Sequence, residues 1–142
     1  MENILAVIDL GPGTDRVFAA TCKYAEALQA RVILVNVEPL LPGAEGSDRE
    51  EVTRDLQDGY AEEIKTIHDL GADLSTRGID NRVLIIEGTA TDQLLMEADR
   101  EAASLIILGS YPHGAFVEAL THGLREQLAK RVRCPVLLVP VS

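Results

Sequence analysis

Five apolar runs of strand length punctuate this chain: Asn3–Asp9 (NILAVID), Arg31–Val37, Arg82–Glu87, Ser104–Gly109 and Val136–Val141. A segment long enough for a helix separates each run from the next. The runs are almost continuously apolar rather than alternating, so such strands have to be covered on both faces, as in a parallel sheet. Strands alternating with helices give that arrangement, and right-handed crossovers wind it into a helix–sheet–helix sandwich. The expectation is an α/β fold: one doubly wound domain over residues 1–142, with a five-stranded parallel sheet and about four helices.

The intervening segments read as amphipathic helices. Val17, Phe18, Thr21, Ala25 and Leu28 recur at helical spacing after Gly11-Pro12-Gly13, with Thr14 or Asp15 as the cap. Glu38–Ser47 (EPLLPGAEGS) is the clearest loop. Asp48 then caps a long helix with Val52, Leu56, Tyr60, Ile64, Ile67 and Leu74 inward. Gly59 weakens it by about 1 kcal/mol relative to Ala, enough to expect a local irregularity. Thr89 or Thr91 caps a third helix facing inward through Leu94, Leu95, Ala98 and Ala102. Phe116 or Val117, Leu120, Leu124 and Leu128 mark the fourth.

A chain of 142 residues with 46% apolar and 25% charged residues can bury a core without disulfides or metals. No run approaches the roughly 18 apolar residues of a membrane span. The start, MENILAVIDL, lacks a basic flank and a cleavage site and enters strand pattern at once. Cys22 and Cys134 have no metal-ligand spacing, and a reduced, cytoplasmic protein is expected. The net charge of −10 argues against a general nucleic-acid partner, because phosphate contacts need clustered cations. The acids crowd between Glu45 and Glu63, whereas Arg125, Lys130, Arg131 and Arg133 make the last helix basic. Both fit solvated helix faces, and a basic partner or a self-complementary contact is the alternative.

The stretch from Leu105 to Pro140 carries the most specific signal. It reads LIILGS-YPHG, a helix-length segment, then RVRCPVLLVPV. A strand-to-helix turn of this kind lies at the carboxyl edge of a parallel sheet, where backbone N–H groups can face a phosphate. The stretch resembles the C-terminal signature of the universal stress protein family. ILAVIDLGPGTDRVFAATCKYAEALQARVILVNVEP and IIEGTATDQLLMEADREAASLIILGS are similar to the family's opening and middle, and CPVLLV to its final strand. The resemblance covers essentially the whole chain. It implies strand order 3-2-1-4-5 and a site at the switch point between strands one and four. It also implies a small cytoplasmic homodimer, of a family in which some members bind ATP and others lack the motif.

That resemblance sets the candidate site. Nucleotide-binding members carry Gly-x-x-Gly, nine residues, then Gly-Ser or Gly-Thr. Counted without gaps from Cys134-Pro135, this chain has Gly109, then Pro112, then His122-Gly123. Proline offers no N–H to a phosphate and fixes φ near −65°, and it pushes Tyr111 extended. His122 puts an imidazole where backbone should approach phosphate, and Gly123 lacks a hydroxyl. A local slip that uses Gly114 and Gly123 is the rescue, with N–H groups of Gly114 and Ala115 and a cation from His113 or His122. In binding members the acid after strand one lies near adenine and ribose, and Asp9 matches it; its other reading is a loop or helix cap. Gly109 matches the first motif glycine, or simply makes the turn out of strand four. The candidate binding set is Asp9, Val37, Gly109, Ser110, Gly114 and Gly123. No cofactor is expected, with ATP or AMP, with or without Mg²⁺, as the alternative.

Catalysis finds little support in the residues. The chain has no Walker loop, no Gly-x-Gly-x-x-Gly and no nucleophile elbow. Asp9 is followed by Leu10, not by the second acid of a phosphate receiver, and aromatics are too few to favour a flavin site. His113 and His122 read as loop or surface histidines, and His68 as a cation near a helix C-terminus. Cys22 reads as core filler and Cys134 as structural at a strand entrance. No catalytic or metal-binding residue is expected. The expected function is a non-catalytic stress-response or signalling module without a working ATP motif. It would be a homodimer joined along the last strand through Val136, Leu138, Val139 and Val141, with a further, unidentified protein partner. The alternative is an ATP- or AMP-binding switch with slow or no hydrolysis.

Overall fold

The structure is a computed structural model that describes residues 2–11, 13–38, 49–87, 90–110 and 130–140. Its strands are β1 (Asn3–Ile8), β2 (Arg31–Glu38), β3 (Asn81–Glu87), β4 (Leu105–Ser110) and β5 (Val136–Pro140). The described helices are α1 (Thr14–Leu28), α2 (Arg49–Thr76) and α3 (Ala90–Arg100). All pairings are parallel and the sheet order is β3-β2-β1-β4-β5, so the expected doubly wound α/β fold and its strand order hold. The expected fourth helix, with Phe116, Val117, Leu120, Leu124 and Leu128, lies outside the described residues.

Burial explains why these runs became strands. Every residue of β1 from Ile4 to Ile8 is buried, because the strand sits in the middle of a sheet covered on both sides. Period-two alternation sends Ile4, Ala6 and Ile8 to one core with Val32 and Leu34 of β2. The inner faces of α1 (Val17, Phe18, Cys22, Ala25) and α2 (Ile67, Leu74) close that core. Leu5, Val7, Ile33 and Val35 point the other way, onto Leu94, Leu95 and Ala98 of α3.

The helix ends differ from expectation in instructive ways. All three close with the same pair of backbone bonds. Gln29, Gly78 and Ala102 donate to Glu26, Ser75 and Asp99, while the following Ala30, Ile79 and Ala103 donate to Ala25, Leu74 and Ala98. This is the Schellman arrangement, which needs a left-handed residue after the helix. Only Gly78 (φ 78°) is a glycine; Gln29 (φ 52°) and Ala102 (φ 49°) adopt the same region with a Cβ. Ala102 is therefore an exposed turn residue, not part of an inward helix face, and Leu28 at the end of α1 is 42% exposed. Gly13 occupies the cap of α1 with no side-chain bond, and Thr14 is the first helical residue, so neither Thr14 nor Asp15 caps it. Thr91 lies inside α3. The α2 helix runs unbroken through Gly59 to Thr76, which leaves His68 exposed in the helix interior and not at its C-terminus.

Candidate functional site at the parting of two strands

The β1–β4 ladder begins at Ile4–Leu105 and stops at Ala6–Ile107. Yet β1 continues to Ile8 and β4 to Ser110. The two central strands thus part at their carboxyl ends. The carboxyl edge beside such a parting is where open α/β sheets hold ligands. By contrast β1 stays paired with β2 up to Ile8–Asn36, and β4 with β5 up to Ser110–Pro140.

The sequence then shapes one lip of this crevice. Asp9 follows β1 directly, is exposed, and accepts a hydrogen bond on Oδ1 from the Gly11 amide at 2.9 Å. An aspartate bonding its own backbone two residues on is an Asx turn. Leu10 between them takes φ 61°, which an L-residue tolerates only at a cost of about 1–2 kcal/mol. Thr14 N–H then bonds Gly11 O at 3.1 Å, Val17 N–H bonds Gly13 O at 3.0 Å, and α1 is under way. Asp9 accordingly serves as the loop cap that was one of its two readings. Its exposed position at the parting strands also keeps it at the candidate site.

Val37 and Asn36 lie at the carboxyl end of β2, paired in register with Ile86 and Ile85 of β3. Gly109 is buried within β4 opposite Val139, and Ser110 ends the strand opposite Pro140. Gly109 is thus part of the strand without positive φ, and the turn it was expected to make does not begin at it. Asp9, Val37, Gly109 and Ser110 all come to one edge of the sheet. Gly114 and Gly123, with Pro112, His113 and His122, lie outside the described residues.

Three further groups lie at this edge, of which the sequence had singled out only Thr14, and that as a helix cap. Asn36 is fully buried, on the β2 face that also carries Val32 and Leu34; its signal was a lone polar residue interrupting RVILVNVE. Thr14 Oγ1 is shielded from solvent and has no hydrogen-bond partner among the described residues. A polar atom in that state costs free energy until something supplies a partner. Arg16, in the first turn of α1, donates from Nη1 to Pro140 O at 3.3 Å and joins the crevice to the last strand. No sequence pattern announces a contact between residues so far apart.

Neither cysteine belongs to the edge. Cys22 is buried in the α1 face of the core as expected, and burial raises its thiol pKa, with Arg77 opposing. Cys134 packs at the entrance to β5, its thiol raised by burial and by Asp99. Among the described residues no group of three or more His, Cys, Asp or Glu is placed to hold a metal ion. No helix among them is long and apolar enough to cross a membrane.

On β5, Val136 packs on the α3 side of the sheet and Val139 on the α1 side, while Leu138 stays 41% exposed. Two of the expected interface residues thus also serve the core. Val141 lies outside the described residues.

A five-stranded parallel sheet that parts at its switch point and is fringed by an Asx turn defines a doubly wound α/β domain. The profile of the universal stress protein family matches residues 1–140, and the chain belongs to that family of stress-response domains. It is similar in structure to a universal stress protein family member from Burkholderia pseudomallei, at 26% identity, TM-score 0.73, and coverage of 99% of this chain and 96% of that one. It also resembles universal stress protein UspA from Lactobacillus plantarum, at 16% identity, TM-score 0.76 and 97% coverage of both chains. A family protein from Arabidopsis thaliana with AMP bound shares the fold at 14% identity, TM-score 0.70, covering 100% of this chain and 93% of that one. No curated protein sequence matches the chain.

Proposed function

We propose that this chain is a non-catalytic stress-response module that works as a homodimer joined along β5, with a nucleotide site too altered to grip ATP. The observation that carries the reading is the place of β5: it ends the sheet and presents Leu138 at its surface. An apolar edge strand invites pairing, and a second copy across a two-fold axis supplies it without leaving a new edge exposed. Pro140 at the end of the strand is tolerated because an edge strand need not donate on both sides. The phosphate grip fails on chemistry: Pro112 has no N–H, and His122 is bulky where a glycine would let backbone approach.

Light scattering coupled to size exclusion tests the dimer. A dimeric mass for the natural protein, and a monomeric mass for Leu138→Glu with an unchanged circular dichroism spectrum, is the expected pair of results. A natural protein that is monomeric at micromolar concentration would sink the reading.

A second reading, an AMP- or ATP-binding switch, is favoured by the unpartnered Thr14 Oγ1 beside the Asx turn of Asp9. The nucleoside half of such a site would rest on Asp9, Val37 and Thr14. Its phosphates would depend on the slipped register of Gly114 and Gly123. When bound, the nucleotide would supply an anion for backbone N–H groups at a helix start, and the residues of this chain would only orient it.

A further inference from the structure

The pairing of β5 with β4 settles which backbone groups of β5 face outward. Ile106 N–H donates to Pro135 O at 3.0 Å, and the parallel ladder runs on from Ile106–Val136 to Ser110–Pro140. Successive residues of a strand turn their N–H and C=O to opposite sides. Pro135, Leu137 and Val139 therefore face β4, while Val136, Leu138 and Pro140 point their backbone groups away from it. Among the described residues β5 pairs with β4 alone.

These outward positions are not equivalent. Val136 and Leu138 each carry a donor and an acceptor. Pro140 has no N–H, and its carbonyl already accepts from Arg16 Nη1 at 3.3 Å. At the other end the strand gives way to a bend at Arg133 and Cys134. Val136 and Leu138 are thus the complete pairing positions, bounded by a proline tied to α1 and by a bend. The side chains divide likewise. Leu137 and Val139 pack on the α1 core and Val136 on the α3 core, while Leu138, on the face of Val136 by alternation, is 41% exposed.

In a homodimer joined along β5, the reading on which this inference rests, the second copy lies antiparallel across the two-fold axis. Outward residues must then meet outward residues, because only they have backbone groups to exchange. An axis at Leu138 sets Val136 opposite Pro140, which has no donor to return. An axis at Val136 sets Leu138 opposite Cys134, in the bend. An axis at Leu137 sets Val136 opposite Leu138 of the second copy, and the reverse, so both positions use their donor and their acceptor. It also lays the exposed Leu138 against an apolar neighbour, the second copy's Val136. We infer that the homodimer is held in this one register, with Leu137 of each copy meeting at the axis. The contact of Arg16 with Pro140 is the stop that sets it.

Cysteine cross-linking of the full chain tests it, in a Cys134→Ser background with Cys22 buried in the core. Opposed residues that do not bond each other, as Leu137 and its copy would be, lie about 4.5 Å apart at Cα, within disulfide reach. Leu138 and its copy would lie diagonally, about 7–8 Å apart or more, which is too far. Leu137→Cys should therefore give a covalent dimer with oxidised glutathione, and Leu138→Cys alone should not. Mixed Val136→Cys and Leu138→Cys chains should cross-link where neither does alone, which serves if Leu137→Cys fails to fold. Arg16→Ala with Pro140→Val restores a donor and frees the acceptor, so Leu138→Cys should then bridge to its copy. No bridge there would overturn the stop. Bridging by Leu138→Cys with Arg16 and Pro140 in place, or none by the mixed chains, would overturn the register and leave the homodimer standing. A monomeric natural protein in light scattering would overturn both.

Discussion

Asp9 Oδ1 and the Gly11 amide lie 2.9 Å apart, and that hydrogen bond sets the direction in which the chain leaves β1. It holds Leu10 at φ 61° and delivers Thr14 to the start of α1, beside the gap where β1 and β4 separate. The carboxylate is thus a fixed feature of the crevice rim. Asp9→Ala should leave the sheet intact and cost less than about 1 kcal/mol, because the bond is exposed. Asp9→Asn, which keeps the acceptor, should cost less still. Thermal denaturation of the two variants checks the order, and an Asn variant weaker than the Ala variant would contradict the role of the turn.

The left-handed residues after α1 and α3 offer a gain. Gln29 and Ala102 do the work of the glycine at position 78 while carrying a Cβ, and both are exposed. Gln29→Gly and Ala102→Gly should each raise stability by up to about 1 kcal/mol, whereas Gly78→Ala should lower it by a similar amount. Urea denaturation measures all three, and the signs are what matter.

Much of the fold was legible because burial writes itself into β1, β2 and β4 as unbroken apolar runs. Strand order came from resemblance, since nothing in a strand names its neighbour. The helix ends were misread at Ala102 and Leu28, because a Schellman turn closed by a non-glycine residue leaves no sequence mark. Of the candidate set, Asp9, Val37, Gly109 and Ser110 were legible as residues at strand ends on one edge of the sheet. Asn36 and Arg16 escaped notice, and Thr14 was read only as a cap, because their places depend on which elements the fold brings to the same edge.

Gly71 tests the contact between α2 and β3. Glycine to alanine inside a helix usually gains about 1 kcal/mol. Here a Cβ would lie 3.0 Å from Asn81 Oδ1 and 3.4 Å from Val83 Cγ2. Asn81 cannot easily give way, since its Nδ2 donates to Ser75 Oγ at 2.9 Å and to Ile79 O at 3.1 Å. Gly71→Ala should therefore bring no gain, yet added to Asn81→Ala it should stabilise by about 1 kcal/mol. Additive effects in this cycle would contradict the contact.

Burial raises both thiol pKa values above the ordinary cysteine range, at Cys22 against the opposing pull of Arg77, and at Cys134 with Asp99 acting in the same direction. The folded state therefore favours the neutral thiol. That contribution is complete below about pH 9 and is lost as pH rises through the higher folded values. Reaction with a disulfide reagent at pH 8 should be slower in the native protein than after unfolding in guanidinium, and stability should fall on the alkaline side. Native thiols that react as fast as free cysteine would contradict this.

Titration calorimetry of the purified protein with ATP and AMP, with and without Mg²⁺, after checking for retained nucleotide, bears most directly on the proposed function. With proline at position 112 and histidine at position 122, no nucleotide should co-purify and no micromolar binding should be seen. Micromolar binding abolished by Asp9→Ala would contradict the account and establish a nucleotide-gated switch in its place.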